Sequence, residues 1–379
     1  MNFSADFGPF EERTWINCAH QGALPRVAAN EAREAVKWKS APHQLTDERF
    51  SNVPHRLKKA LGSLIGASAN DIILGNSASY GLHLLANGIK WKAGDEVLLV
   101  KGDFPSDLLP WLVLEKQGVH IRYIEPQNHL PTLNELEANI TDNTRLFCTT
   151  WVHSFSGVAA DISALGELCQ THGITFVVNA SQALGARPMD VSDVAVDALI
   201  GVGFKWLCGP YGTGFCWMHQ ELLQSLDYNQ AYWLAEMTAE ELGNESGEIQ
   251  RPKGPPTAKT FDVFATANFF NFKPWRTSIE YLLEQGIDRI AEHDQQLVSQ
   301  FIDGLNTKKY KLLSPREGPE RSTLIFVSHR KTQLNNEIHS LLKHEGIDIA
   351  FRREKLRFAP HLYNTKNDIE KALSVLDSV

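Results

Sequence analysis

Residues 201–214 read GVGFKWLCGPYGTG, a stretch that places one lysine, Lys205, between an apolar run and a glycine-rich turn. The run before it, Val196–Ile200, predicts a short buried strand, so we expect Lys205 to lie just past a strand end, inside the fold. A lysine in such a place must be paired or used chemically. A partly desolvated lysine loses its proton more readily and becomes the nucleophilic amine that Schiff-base chemistry with an aldehyde requires. The alternative is a lysine whose stem packs while its ammonium reaches water.

The segments around this stretch alternate between strand and helix patterns. Short apolar runs that predict strands recur at His120–Ile124, Arg145–Thr149, Ile174–Val178, Val196–Ile200 and Thr213–Met218. Such alternation is typical of an α/β fold, in which right-handed crossovers build a mainly parallel sheet covered on both faces. Ligand sites in these sheets lie at the carboxyl ends of the strands. Residues 226–256 lack both patterns, which predicts a surface excursion that serves as a lid or as an arm of a dimer.

A second candidate site lies at the start of a helix. The run Asp71–Gly75 predicts a strand, and residues 76–79, Asn-Ser-Ala-Ser, precede a helix predicted over Tyr80–Ile89. Backbone N–H groups at a helix start bind phosphate, because they lack intrahelical acceptors and carry a partial positive charge. Plain N-capping by Ser77 or Ser79 is the alternative.

Composition and charge limit the class of protein. The 379 residues are 43% hydrophobic and 22% charged, which is typical of a folded globular protein with one large and one smaller domain. The net charge of −8 argues against nucleic acid as the main partner. Five cysteines without a CxxC pair predict reduced thiols in a cytoplasmic protein, not a disulfide framework or a metal site. Since Met1–Glu12 is acidic and no run is long and apolar enough to span a bilayer, we expect neither a signal peptide nor a membrane partner.

Two stretches together carry a family resemblance. Residues 201–214 and residues 174–185, ITFVVNASQALG, resemble the class V aminotransferases, a family of enzymes that depend on pyridoxal 5'-phosphate (PLP). The resemblance implies fold type I, with a mainly parallel seven-stranded sheet in a large domain and a smaller α/β carboxy-terminal domain. The implied bounds are 22–285 for the large domain and 1–21 with 286–379 for the small one. An amino acid substrate and a homodimer with shared active sites are implied as well.

The resemblance also assigns roles around PLP. Lys205 matches the lysine that forms the Schiff base, and Asn179 stands where most members have the acid under the pyridine nitrogen. Arg357, in the signature RFAPHLYNT (357–365), matches the arginine that binds the substrate carboxylate as a bidentate pair. The other implied contacts are Ser77, Ala78 and Ser79 to the phosphate, Phe104 stacked on the ring, Ser154 and Gln182 beside the phenolic oxygen, Asn17 and His20 near the substrate, and Thr266 at the phosphate of the neighbouring subunit. The alternatives from the residues alone are core packing for Phe104 and a surface ion pair for Arg357.

Several positions depart from the family pattern. Asn179 has no charge with which to favour a protonated ring, so we hypothesise a less fully protonated cofactor. That state would favour racemisation or β-elimination over sustained transamination. Ser154 stands where the family usually has an asparagine. Residues 350–355 contain no cysteine, which argues against a desulfurase with a thiol relay.

The type of reaction stays open at this point. Aminotransferase is the default of the family. A lyase of the kynureninase or carbon–sulfur type comes second, because Phe104-Pro105-Ser106-Asp107 resembles the kynureninase branch. An amino-acid epimerase comes third, and a PLP-binding protein of little catalytic power is an alternative of a different class.

Overall fold

The computed structural model describes residues 3–237, 243 and 254–379. The strands in chain order are β1 (Thr14–Trp15), β2 (Ile72–Gly75), β3 (Glu96–Val100), β4 (His120–Ile124), β5 (Thr144–Thr150), β6 (Thr175–Asn179), β7 (Ala198–Val202), β8 (Gly214–Met218), β9 (Tyr310–Leu312), β10 (Ile325–His329), β11 (Ile347–Asp348), β12 (Ala350–Arg352) and β13 (Lys355–Phe358). The helices in chain order are α1 (Arg26–Ser40), α2 (Asp47–Ile65), α3 (Ala78–Gly88), α4 (Pro105–Leu112), α5 (Leu133–Glu137), α6 (Ile162–Thr171), α7 (Gln220–Ser225), α8 (Trp233–Glu236), α9 (Phe269–Gln285), α10 (Ile287–Gly304), α11 (Asn335–His344) and α12 (Lys366–Asp377).

The central sheet has seven strands in the order β2-β8-β7-β6-β5-β3-β4. Strands β3 to β7 run parallel to their neighbours within this group, and β8 runs antiparallel to both β2 and β7. The short connection from β7 to β8, residues 203–213, holds no crossover helix, so β8 returns beside β7 in the opposite direction. The predicted α/β fold with a mainly parallel seven-stranded sheet is confirmed.

Both faces of this sheet are covered, which explains the nearly continuous apolar runs of its strands. In β6, Phe176 and Val178 belong to one hydrophobic cluster and Val177 belongs to another, as the alternation of side chains along a strand requires. Residues of α2, α6 and α9 fill the first cluster, and residues of α3 and α4 fill the second. Every residue of β7 is buried. Lys205 follows the end of this strand as predicted, although the strand begins and ends later than Val196–Ile200.

A second, antiparallel sheet in the order β12-β13-β10-β9 forms the carboxy-terminal part with α10, α11 and α12. The amino-terminal strand β1 pairs in parallel with β11, with Thr14 opposite Ile347. Ile16 packs in the same hydrophobic cluster as Phe301 and Ile325. This pairing supports the division into 22–285 and 1–21 with 286–379, which stays a proposal.

Two expectations from the sequence concern the surface. About half of the excursion at 226–256, namely residues 238–242 and 244–253, lies outside the described residues, so its role as a lid or dimer arm stays a prediction. Over the described ranges, no helix combines the length and the apolar character that a membrane crossing needs.

Candidate active site

A cavity of about 390 Å³ lies at the carboxyl ends of β3, β5, β6 and β7. Most of the residues predicted for the site lie at its surface, namely His20, Ser77, Ala78, Ser79, Phe104, Ser154, Asn179, Gln182, Lys205 and Arg357. A larger cavity of about 650 Å³ lies elsewhere and is lined in part by Thr266. Of its two lysines, Lys58 is ion-paired with Asp262 at 2.8 Å, and Lys259 is exposed, so neither is a desolvated free amine. The smaller cavity is therefore the candidate active site.

Lys205 is half-buried and faces this cavity. Its Nζ has no hydrogen bond or ion pair with any described residue, and it lies 5.7 Å from the centre of the Phe104 ring. The pKa of Lys205 is lowered to about 8, mainly by burial and also by the nearby charge of Arg357, against the opposing effect of Asp107. The lowered pKa raises the fraction of neutral amine near neutral pH, which makes Lys205 a better nucleophile and base.

The glycine-rich turn holds Lys205 in position through close backbone contacts. The Cys208 N–H donates to the Lys205 carbonyl at 3.0 Å, and the Gly209 N–H donates to the Gly203 carbonyl at 2.7 Å. A Cβ atom on Gly203 would lie 2.5 Å from the Trp275 ring, so only glycine fits there. Packing against α9 therefore requires glycine at this position of the turn.

The start of α3 meets the same cavity. The Ser77 hydroxyl accepts a hydrogen bond from the Tyr80 N–H at 3.3 Å, so Ser77 is the N-cap of the helix. Ala78 and Ser79 open the helix, and their N–H groups lack intrahelical acceptors. Capping and anion binding are compatible here, because one side chain satisfies one amide and leaves the others for a ligand.

Asn179 and Asp107 form a buried pair at the end of β6. The Asn179 Nδ2 donates to the Asp107 Oδ1 at 2.7 Å, and the Asn179 Oδ1 accepts from the Ser181 N–H at 3.0 Å. Asp107 also lies at the cavity surface. Burial raises its pKa well above the ordinary value, and Asp103 raises it further, while Asn179 and Lys205 oppose this shift. In the sequence, Asp107 is only the last residue of the motif at 104–107, which does not by itself predict a place in the site.

Gln182 and Trp206 connect the cavity to the protein interior. The Gln182 Nε2 donates to the Ala19 carbonyl at 3.1 Å, and its Oε1 accepts from the Trp206 Nε1 at 3.0 Å. One N–H of the Gln182 amide is left for a ligand such as the predicted phenolic oxygen.

Arg357 is only 3% exposed, so it is not the surface arginine that chemistry alone suggested. Its Nη1 donates weakly to the Ser154 carbonyl at 3.4 Å, and its Nε has no partner among the described residues. Burial lowers the pKa of Arg357, and Arg352 lowers it further, yet a guanidinium stays protonated at any physiological pH. The side chain is therefore a buried cation with free donors, and an anionic ligand would satisfy it.

The mouth of the cavity holds His20 and Arg352, of which the sequence analysis named only His20. Burial lowers the pKa of His20, and the charges of Arg352, Arg357 and Lys205 lower it further. Asn17 does not line the cavity; its carbonyl accepts from the His20 N–H at 3.0 Å and so shapes the turn that carries His20.

Thr266 lies outside this cavity, and its hydroxyl donates to the Val263 carbonyl at 3.0 Å within its own chain. A contact of Thr266 with a phosphate in the candidate site therefore needs a second subunit.

The donors at this cavity fit PLP. An unpartnered amine suits its aldehyde, a helix start suits its phosphate, and an aromatic face suits its ring. The unpartnered oxygen of Asp107 and the unpartnered Nε of Arg357 are buried polar atoms that a bound ligand would satisfy.

Comparisons with known proteins agree with this chemistry. The family model for aminotransferase class-V matches residues 23–371. The chain is similar to an uncharacterized aminotransferase, YcbU, of Bacillus subtilis (strain 168), with 26% identity over 83% of this chain and 81% of that one.

Solved structures share the fold. The apo cysteine desulfurase from Thermococcus onnurineus NA1 has a TM-score of 0.86 and 21% identity, with 99% of this chain and 96% of that one covered. The cystine C–S lyase C-DES, in complex with its reaction product cysteine persulfide, has a TM-score of 0.86 and 19% identity, with 98% of each chain covered. A variant of C-DES has glycine covalently linked to its PLP cofactor. Since the family model spans most of its length, this chain belongs to the aminotransferase class-V family of PLP-dependent enzymes.

Proposed function

We propose that this protein uses PLP to act on the amino group of a small amino acid, with transamination as its main reaction. The observation that carries the proposal is the presence in one cavity of an amine and a guanidinium that are both free to bind ligand. Lys205 Nζ has no partner among the described residues, and the buried Arg357 leaves its Nε unpartnered. When bound, PLP supplies an aldehyde for the amine and an electron-withdrawing ring.

The chain's own residues then divide the work. Arg357 binds the substrate carboxylate and so orients the Cα–H bond, because a planar guanidinium fixes a carboxylate in a bidentate pair. Lys205 takes the proton from Cα and returns it, and its lowered pKa suits it to both roles near neutral pH. Phe104 and Phe155, whose rings stack at 6.0 Å, provide an apolar wall that excludes water from this side.

A carbon–sulfur lyase is the second candidate, and the placement of the cysteines favours it over a thiol-relay desulfurase. All five cysteines are buried, and none lies at the cavity surface. A relay that carries sulfur on a protein thiol therefore lacks its carrier, whereas a lyase that releases a sulfur-containing product needs none. The shared fold with C-DES is compatible with this second candidate.

A homodimer and a cytoplasmic location are further proposals. The homodimer is supported by the resemblance, which assigns Thr266 to the phosphate of a neighbouring subunit, and Thr266 lies outside the candidate site of its own chain. The buried, reduced cysteines support a cytoplasmic location, where thiols stay reduced.

The visible spectrum of the purified protein tests the reaction. PLP bound to Lys205 as a Schiff base absorbs visible light. Borohydride reduces this bond to a secondary amine, which keeps the cofactor attached through denaturation and absorbs in the near ultraviolet. We expect the attached cofactor in the wild type and none in the Lys205→Ala variant. Amino acids are then added one at a time, with keto acid, ammonia and sulfide assayed in the same samples.

The outcomes separate the candidates. Loss of the band on addition of an amino acid and its return on addition of a keto acid would establish transamination. Retention of the band with release of ammonia or sulfide would establish the lyase. A band that responds to no amino acid would contradict both.

A further inference from the structure

Asp107 lies in the first turn of α4, and its carboxyl group is only half satisfied. The residue is 1% exposed, and its Oδ1 accepts the hydrogen bond from Asn179 Nδ2. Its Oδ2 is buried and has no hydrogen-bond partner among the described residues. An unsatisfied buried carboxyl oxygen costs free energy, and native proteins keep few of them. Because Asp107 also lines the cavity of Lys205, this oxygen is positioned to receive a ligand.

Asp103, four residues before Asp107, provides a comparison. It is also buried, at 3% exposed, but its two oxygens accept from the Phe104 N–H at 2.7 Å and from the Thr150 N–H at 3.0 Å. It does not line the cavity. Both carboxyl oxygens of Asp103 therefore have backbone donors, whereas one oxygen of Asp107 has no donor among the described residues.

The orientation of Asn179 explains why an amide suits this position. The Ser181 N–H can only donate, so the oxygen of the Asn179 side chain must face Ser181 and its Nδ2 must face Asp107. An aspartate at position 179 would instead place two carboxyl groups in direct contact, and only one of them could stay charged. The pair Asn179–Asp107 therefore keeps a single acid at this end of the cavity and fixes its orientation.

We propose that Asp107, held by Asn179, is the acid that binds the ring nitrogen of PLP through its Oδ2. This inference rests on the PLP site of the proposed function and goes beyond it in assigning the residue that controls the ring. An acid at a pyridine nitrogen favours the protonated, more strongly electron-withdrawing ring. It therefore argues against the hypothesis, drawn from Asn179 alone, that the ring is weakly protonated. The structure instead supplies the missing acid from α4.

Nuclear magnetic resonance of the holoenzyme loaded with PLP labelled with ¹⁵N at the ring nitrogen tests the assignment. In the wild type we expect the signal in the range of a protonated ring. In Asp107→Asn, which keeps the size and shape of the side chain, we expect the signal to move to the unprotonated range, and PLP affinity to fall at least about tenfold. Asp107→Glu keeps an acid at this position and should recover most of both.

A matched control and a clear contrary result complete the design. Ser106→Ala changes the neighbouring residue at the cavity surface and should leave the nitrogen signal unchanged. An unprotonated ring in the wild type, or a wild-type signal in Asp107→Asn, would overturn the assignment. If Asp107→Asn retains no PLP, Asp107→Glu decides: a protonated signal supports the proposal, and an unprotonated signal or a folded protein without PLP overturns it. A normal nitrogen signal in a protein that turns over no amino acid would instead contradict the proposed function and leave Asp107 assigned.

Discussion

Two cationic side chains lie next to Trp206, Lys205 as its neighbour in the chain and His361 in contact with it, and their surroundings give them opposite properties. Lys205 precedes Trp206 and faces the cavity without a polar partner among the described residues. His361 is completely buried, with its Nδ1 2.7 Å from Asp294 Oδ2 and its Nε2 3.0 Å from the Trp206 carbonyl oxygen. Since the carbonyl can only accept, Nε2 carries a proton, and the second proton is held between Nδ1 and Asp294.

The difference shows that burial alone does not decide whether a cationic side chain is structural or reactive. Burial lowers the pKa of both groups. For His361, the charge and hydrogen bond of Asp294 and the nearby Cys208 outweigh burial and raise the pKa to about 10. For Lys205, no such partner exists in the described structure, and the pKa falls to about 8. The paired cation holds the structure together, and the cation without a partner is available for chemistry.

Replacing Lys205 by alanine should have the largest effect, because it removes the group that this comparison identifies as chemical. We expect turnover to fall by about 10³-fold or more, within the range that a general acid–base residue contributes. The free energy of unfolding should change little, since Nζ makes no polar contact that folding would lose. Steady-state kinetics of the holoenzymes and urea unfolding of the PLP-free proteins check the two parts, because bound PLP would itself add to stability. A variant that is strongly destabilised would show that Lys205 is structural.

Replacing Asp294 by asparagine should have the opposite effects, a large loss of stability and a small change in turnover. The change leaves the buried His361 without its carboxylate, and breaking a buried ion pair costs about 3–5 kcal/mol of stability. We expect that loss in urea unfolding of the holoenzyme. The exposed pair Arg316–Asp303, with its two side chains 57% and 73% exposed, offers the matched control, because Asp303→Asn should leave stability unchanged within error. Equal stability of the two variants would contradict the comparison.

A third cation, Arg357, lies between these two cases, because it is buried like His361 but has free donors like Lys205. Arg357→Lys keeps the charge and loses the bidentate geometry, so we expect KM for the amino acid to rise by about 10- to 100-fold with a smaller change in kcat. Arg352→Lys, at the mouth of the same cavity, should change KM less. Similar effects at the two positions would argue against Arg357 as the carboxylate ligand.

The pH dependence of stability sharpens the comparison further. The folded pKa of His361, about 10, lies above its ordinary value of 6.5. Its contribution to stability is therefore fully present below about pH 6.5 and is lost as the pH rises through about 10. We expect the free energy of unfolding of the wild type to fall relative to that of His361→Gln/Asp294→Asn over this window. A constant difference between the two proteins across pH 6 to 10 would show that the pair does not titrate.

The smallest expected effect concerns Thr266, which contacts neither cation. If a second subunit completes the phosphate site, Thr266→Val should weaken PLP retention by about 3- to 10-fold, the value of one hydrogen bond. Dialysis against buffer without PLP, followed by the absorbance of the bound cofactor, measures it. Asn70→Ala, in the same larger cavity, is the control. Unchanged retention in Thr266→Val would contradict the shared site.

Part of this picture could be predicted from local sequence and part could not. The strand before Lys205 and the helix start at Ser77 follow from local patterns, and the sequence predicts both. The bounds of β7 were displaced, because Asp197 uses its side chain as well as its backbone to bind Phe176. Its N–H donates to the Phe176 carbonyl at 3.0 Å, and its Oδ2 accepts from the Phe176 N–H at 2.7 Å. The spacing of apolar residues does not reveal a polar side chain that takes the place of a backbone contact between strands.

The two buried acid pairs show why the rest was missed. Asp107 and Asn179 are 72 positions apart in sequence, and Asp294 and His361 are 67 apart. No periodicity or spacing signals a pair that only the folded sheet brings together. Asp107 belongs to the motif at 104–107, and the uncharged Asn179 departs from the acid that most of the family has at this position. Together these two residues are the signal in the sequence that Asp107, and not residue 179, supplies the acid of the site. Only the 2.7 Å contact in the folded structure connects them.

The amino-terminal strand has a consequence for how this protein tolerates changes in length. Chain ends usually accept insertions and deletions, because little depends on them. Here β1 is hydrogen-bonded to β11, and a few residues later the Gly22 N–H donates to the Phe204 carbonyl at 2.8 Å, next to Lys205. The segment between them is therefore anchored at both ends, to β11 and to the turn that carries Lys205. Adding or removing a residue there would displace His20 or Lys205, so we expect homologous enzymes to vary in length at the surface loops and not between residues 15 and 22.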